Sequence, residues 1–178
     1  MQHFLDFEKP IAILEDKLNE LRHLGTDNGL NIADEIGKLQ TRIHKELKQT
    51  YNKLGAWEKI QVARHPDRPK MVNIIKALFK NFVLLAGDRN YADDNAIIGG
   101  IAKFENKSVV VIGTEKGSST EDRIKRNFGM VRPEGYRKAI RLMEIANKFS
   151  LPLISFVDTA GAYPGKGAEE RGQAEAIA

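Results

Sequence analysis

The apolar run LPLISFV at residues 151–157 is followed at once by DTAGAYPGKGAEERGQAEAIA, so a strand, a glycine-rich turn and a helix start meet in one short stretch. An uninterrupted apolar run of this length suits a strand covered on both faces, and the composition from Ala168 onward favours helix. Between the two, Gly161, Gly165 and Gly167 permit positive φ and let a ligand come close to the backbone. The first amides of the following helix lack intrahelical acceptors and point outward. A turn of this build is a ready site for an anion or a developing oxyanion.

A nucleotide P-loop is excluded by counting. That motif needs four residues between its first glycine and the Gly-Lys-Ser/Thr, and only three separate Gly161 from Gly165. Gly167 stands where the magnesium-binding hydroxyl should be, and Pro164 removes an amide that would cradle phosphate. Taken alone, the turn is read equally well as a plain tight connection or as an oxyanion site.

Residues 1–54 form a unit of their own. Ile11, Leu14, Leu18 and Leu21, then Ile32, Ile36, Leu39, Ile43, Leu47 and Tyr51, make two stripes at helical spacing, and GTDNG at 25–29 reads as a turn between them. An antiparallel helical hairpin follows, packed on its own body or on another subunit. Helical segments continue over 57–82, interrupted by HPDRP at 65–69, where Asp67 is placed to cap the next helix. Strands are expected at 95–104 and 108–114, with a short hairpin connection through Glu105, Asn106 and Lys107. A helix over 133–149 opens on Pro133 and turns Ala139, Leu142, Met143, Ala146 and Phe149 to one face. This order is α/β, and pattern alone leaves a doubly wound sheet open.

The absence of cysteine excludes disulfides and thiolate metal sites, and His3, His23, His44 and His65 lack metal-ligand spacing. No metal is assigned. No apolar segment resembles a membrane span or signal peptide, so a cytoplasmic protein is expected. The net charge of +4 is mild, but Lys116, Arg123, Lys125, Arg126, Arg132, Arg137, Lys138 and Arg141 fall close together. Solvated helix faces are expected for most of them, and Lys116, just past a strand and before Gly117, is the cation placed to line a cleft. Nucleic acid is the weaker reading, because stacking aromatics are limited to Phe128 and Tyr136 and no binding motif accompanies them.

DTAGAYPGKGAEERGQAEAIA, together with LGAWE at 54–58, ARHPDRP at 63–69, LAGDRNYADDNAIIGGIA at 85–102 and RNFGMVRPEGYRKA at 126–139, resembles the carboxyltransferase alpha subunit family of bacterial multi-subunit acetyl-CoA carboxylase. Ala160 stands where proline is expected, which changes turn rigidity and leaves the glycine pattern intact. The resemblance implies a crotonase/ClpP-like superfamily core over 55–178, preceded by the hairpin as a subunit-contact arm. It implies transfer of a carboxyl group from carboxybiotin, on a biotin carboxyl carrier protein, to acetyl-CoA, giving malonyl-CoA for fatty acid synthesis. It further implies a beta subunit in an alpha2beta2 heterotetramer, with biotin carboxylase as a further partner. Charge developing on the ureido oxygen and on an acetyl enolate calls for preorganised amides, so no catalytic histidine or serine triad is required. The backbone amides of Gly161, Ala162 and Gly165 are the candidates for that role, with Tyr163, Lys166, Gly167 and Lys116 as substrate-binding candidates. Gly99 and Gly100 are read as allowing close strand packing. Asp158, Glu169 and Glu170 are read as turn and helix-start carboxylates. Members of this family run well beyond 178 residues, so the chain reads as an N-terminal fragment lacking a later Gly-Gly turn, expected to be inactive alone. A noncatalytic assembly subunit and a crotonase-type acyl-CoA hydratase or hydrolase are the alternatives.

Overall fold

The computed structural model describes residues 3–24 and 29–178. The chain divides into two compact units, residues 1–68 and 69–178. The expected turn at 25–28 lies outside the described residues.

In the first unit α1 (Lys9–Leu24) and α2 (Gly29–Tyr51) share an apolar seam: Ile11, Leu18 and Ile43 are buried, with Leu14, Ile36, Leu39 and Leu47 packed around them. A short 3-10 turn at Asp6–Glu8 precedes α1. Its Glu8 carboxylate takes the Leu5 amide at 2.8 Å and the Tyr51 hydroxyl at 2.5 Å, tying the end of α2 to the chain before α1. The unit also contains α3 (Ala56–Ala63). Asp67 does not cap a helix: its carboxylate accepts the His3 amide, while His65 bonds the His3 carbonyl at 2.8 Å.

The second unit is mixed α/β, with one four-stranded sheet in the order β1-β2-β3-β4. Its strands are β1 (Lys80–Leu84), β2 (Ile97–Phe104), β3 (Lys107–Thr114) and β4 (Leu153–Phe156). The first two pairings are antiparallel and the last is parallel. The pairing of Phe104 with Lys107 leaves Glu105 and Asn106 as a two-residue hairpin loop, and φ of 46° and 66° there gives the twist that such loops need. One face packs on α4 (Met71–Leu78) through Met71, Ile75 and Phe79 against Ile98, Ala102, Val109 and Val111. The other packs on α6 (Pro133–Lys148), where Leu142 and Ala146 meet Ile97, Val110 and Ile112. Gly99 and Gly100 permit this closeness: a Cβ would lie 2.3 Å from the Leu142 side chain at Gly99 and 2.0 Å from the Val83 carbonyl at Gly100.

Several expectations are corrected. The helical reading of 57–82 misses β1, which begins one residue after α4 ends. The run at 151–157 contains β4, which among the described residues pairs with β3 and lies at the edge of the sheet. Ile154 and Phe156 face the core while Leu153 is exposed, and Val157 past the strand is 82% exposed. An apolar run cannot distinguish a central strand from an edge strand, because pairing depends on residues elsewhere. On α6 the buried positions are Pro133, Glu134, Gly135, Lys138, Leu142 and Ala146, whereas Met143 and Phe149 are exposed. The helix expected from Ala168 is instead α7 (Lys166–Glu169) and α8 (Gln173–Ile177), separated where Gly172 takes φ of 75°. A further helix, α5 (Thr120–Lys125), precedes a left-handed turn at Asn127–Gly129.

Candidate functional site

β3 and β4 run parallel, so their C-terminal ends open on the same edge of the sheet, and the segments leaving them build the site. The Asp158 amide donates to the Thr114 hydroxyl at 2.6 Å, and the Asp158 carboxylate pairs with Lys116. Asp158 is therefore the partner of the cleft cation, which corrects its reading as a turn and helix-start carboxylate. Thr159 then ties the turn to the segment at Gly129: its hydroxyl donates to the Gly129 carbonyl at 2.6 Å and accepts the Gly161 amide at 3.1 Å.

Of the three glycines read as permitting positive φ, only Gly161 uses it, with φ of 148°. A Cβ there would meet nothing within 4 Å, so the requirement is conformational. Gly165 is extended at φ −102° and precedes α7. It is glycine for space, because the Tyr163 ring lies 2.2 Å from where its Cβ would be. Gly167 lies inside α7.

The amides divide into two groups. Gly161 donates to Thr159 and Tyr163 to the Val131 carbonyl at 3.0 Å, while Ala168 and Glu169 both donate to the Gly165 carbonyl. The amides of Ala162, Gly165, Lys166 and Gly167 meet no protein acceptor among the described residues. The amides of Ala162, Gly165 and the start of α7 are thus unengaged, whereas that of Gly161 is bonded to Thr159. Lys166 is almost fully exposed, 3.4 Å from Glu170.

Behind the turn, the Arg132 guanidinium lies over the Tyr163 ring at 4.4 Å. The Gln173 side-chain amide donates to the Val131 carbonyl at 2.9 Å and to the Tyr163 carbonyl at 3.4 Å. Arg171 forms a fork on Glu134 at 3.1 and 3.2 Å, and this partner pushes the guanidinium pKa above its ordinary value. Arg132 Nε and Gln173 Oε1 are buried with no partner among the described residues.

The cation-rich stretch is mostly not a solvated face. Lys138, 1% exposed, donates to Asp93 at 2.5 Å and to the Asp94 carbonyl at 2.7 Å. Arg137 pairs with Asp88 at 3.2 Å, and Arg141 donates to the carbonyls of Leu85, Ala86 and Gly87. Arg126 bonds Asp122 and the Asn95 carbonyl. These side chains bind the loop at 85–95, whose carboxylates answer them. Burial alone would push Asp88 and Asp93 up, but Asp88 takes three loop amides and Arg137, and Asp93 takes Lys138 and the Gly87 amide, so both lie below the ordinary carboxylate value. Burial wins only at Asp94, which is raised.

The sequence reading misses Thr159, Asp158 as the partner of Lys116, Arg132 and Gln173. Thr159 adjoins the glycines and was within reach of local inspection. Arg132 and Gln173 lie 31 and 10 residues from Tyr163 and carry no local signal. A cavity of about 510 Å³ opens elsewhere in this unit, lined by Val72, Ile75, Phe79, Phe82 and Ile98 together with Lys138 and Arg126. No residue of the glycine turn lines it. Among the described residues no group of three or more histidines, carboxylates or cysteines could hold a metal ion, and no helix is long and apolar enough to cross a membrane.

Residues 4–178 match the family model described as acetyl co-enzyme A carboxylase carboxyltransferase-like. The chain belongs to that family. It is 60% identical over 176 residues to the acetyl-coenzyme A carboxylase carboxyl transferase subunit alpha of Paramagnetospirillum magneticum, covering 99% of this chain and 56% of that protein. The subunits of the same name from Azorhizobium caulinodans and Rhizobium etli are 59% and 58% identical, again over all of this chain and 56% of theirs. The chain thus spans little more than half the length of these curated relatives. Among solved structures, the beta subunit of Pseudomonas aeruginosa geranyl-CoA carboxylase aligns at a TM-score of 0.39 and 20% identity, covering 99% of this chain and 30% of that one. That likeness is too slight to assign a fold.

Proposed function

We propose that the chain supplies the biotin-facing half of a carboxyltransferase site that moves a carboxyl group from carboxybiotin to acetyl-CoA. The observation that carries this reading is the four unengaged amides of Ala162, Gly165, Lys166 and Gly167, in a family member, on a turn opened by Gly161. Biotin, when bound, supplies the ureido group that carries the carboxyl and takes up the proton. Such a group needs N–H donors and open space, and the residues present fit: four free amides, no side chain over Gly161, and Tyr163 as a flat wall.

The work of the chain is positioning and charge stabilisation. Amides fixed by the surrounding bonds meet developing negative charge without reorganising, which lowers the barrier more than the same donors would in water. Tyr163 limits the approach to one side of the turn. Lys166, at its mouth, attracts an anionic group. Lys116, already neutralised by Asp158, holds the strand ends together and adds less net charge than an unpaired lysine.

Within this reading, residues 55–178 belong to a crotonase/ClpP-like core and residues 1–54 form a subunit-contact arm. The partners are a carboxyltransferase beta subunit in an alpha2beta2 assembly, a biotin carboxyl carrier protein and biotin carboxylase, in the cytoplasm. The test is malonyl-CoA-dependent carboxylation of free biocytin by a full-length chain mixed with its beta subunit, against each alone. Turnover in the mixture only is expected. A stable complex without turnover would favour a scaffold, and enoyl-CoA turnover by the chain alone would favour a hydratase.

A further inference from the structure

We infer that Arg132 and Gln173 are positioning residues for the Tyr163 wall of the glycine turn, an inference that rests on the function proposed above. Arg132 is fixed at three points. Its amide donates to Asp94 at 2.8 Å, its Nη2 donates to Asn127 at 3.2 Å, and its guanidinium face covers the Tyr163 ring at 4.4 Å. Gln173 holds the main chain of the same residue, because one amide group bonds both the Tyr163 carbonyl and the Val131 carbonyl that receives the Tyr163 amide. Ring and backbone of Tyr163 are thus clamped independently.

The clamp reaches the amides through Gly165. The Tyr163 ring fills the space a Gly165 side chain would take, so the ring's position sets how closely the chain can fold between Tyr163 and α7. That spacing fixes the angle between the Ala162 amide and those that begin α7. Leaving Arg132 Nε and Gln173 Oε1 buried and unmatched is a cost that stability alone would select against. Costs of this kind collect where a site's geometry takes precedence. A planar guanidinium also stacks on a ring where a lysine ammonium cannot.

The experiment uses the full-length chain assembled with its beta subunit and the biocytin assay. Lysine keeps the charge but loses the planar face over the ring and the bond to Asn127, so Arg132→Lys is expected to lower kcat/KM for biocytin by about tenfold, the worth of one hydrogen bond, with the KM for malonyl-CoA unchanged. In a Tyr163→Ala background the same substitution is expected to change nothing further. Should Arg132→Lys fail to assemble, Gln173→Met, which releases the Tyr163 backbone and not its ring, is expected to lower kcat/KM for biocytin to the same extent with and without the Tyr163 ring. Wild-type rates in the single variant, or an Arg132→Lys loss that is equal with and without the Tyr163 ring, overturn the inference and leave the function standing. An assembled wild-type complex without biocytin turnover overturns both.

Discussion

Gly161 and Gly165 are glycines for different physical reasons, and substitution separates them. At Gly161 an added Cβ touches nothing, so Gly161→Ala costs only the price of φ at +148°, about 1–3 kcal/mol stored in the turn. At Gly165 the backbone tolerates any residue, and the Cβ collides with the Tyr163 ring. Both alanine variants are expected to lose biocytin turnover in the full-length complex while assembly, followed by size-exclusion chromatography, stays intact. Removing the ring should rescue space but not backbone, so Tyr163→Ala restores folding stability to Gly165→Ala and none to Gly161→Ala. Equal behaviour of the two double variants in thermal melts would refute the distinction. Sequence alone showed that glycines cluster here. It could not show which one needs φ and which needs room, since that depends on where the ring three-dimensionally lies.

At the scale of elements, what was legible followed from local rules. The helical stripes of 1–51, the β2–β3 hairpin and the Pro133 start of α6 were each set by spacing or by a residue type that the backbone demands. β1 was hidden because its five residues follow α4 after a single residue, with no turn signal between. The ionic clamp on 85–95 was hidden because its partners lie more than 30 residues away. Glu105 and Asn106 hold positive φ in the hairpin loop, so Glu105→Asn with Asn106→Gly should raise stability by about 0.5–1 kcal/mol in urea unfolding. Lys138→Met leaves Asp93 without its buried ammonium partner. A loss of about 3 kcal/mol is expected, at the low end for a broken buried pair because Asp93 is partly open to water. A loss below 1 kcal/mol would mean that the loop is held by Arg137 and Arg141 alone.

The two compact units differ in which end of the pH scale threatens them. In the second unit Asp88 and Asp93 have folded values depressed below the ordinary carboxylate, so the stability they contribute is present above about pH 4 and lost as pH falls through the folded values. Asp94, raised by burial, acts in the opposite sense and moderates the loss. In the first unit the hydrogen bond from Tyr51 to Glu8 pushes the phenol up to about 12. A raised folded value contributes stability that is complete below the unfolded value near 10 and disappears as pH climbs through about 12. Acid should therefore act through the 85–95 loop and alkali through the join between Glu8 and α2. Melting temperatures of wild type and Tyr51→Phe should differ most at pH 9 and below, and converge by pH 12. Wild type and Asp88→Asn should differ at pH 7 and converge as pH falls below about 4 and through the folded value. A Tyr51→Phe gap that persists unchanged to pH 12 would mean that its hydroxyl does not carry the contact, whatever the ring contributes by packing on Phe7.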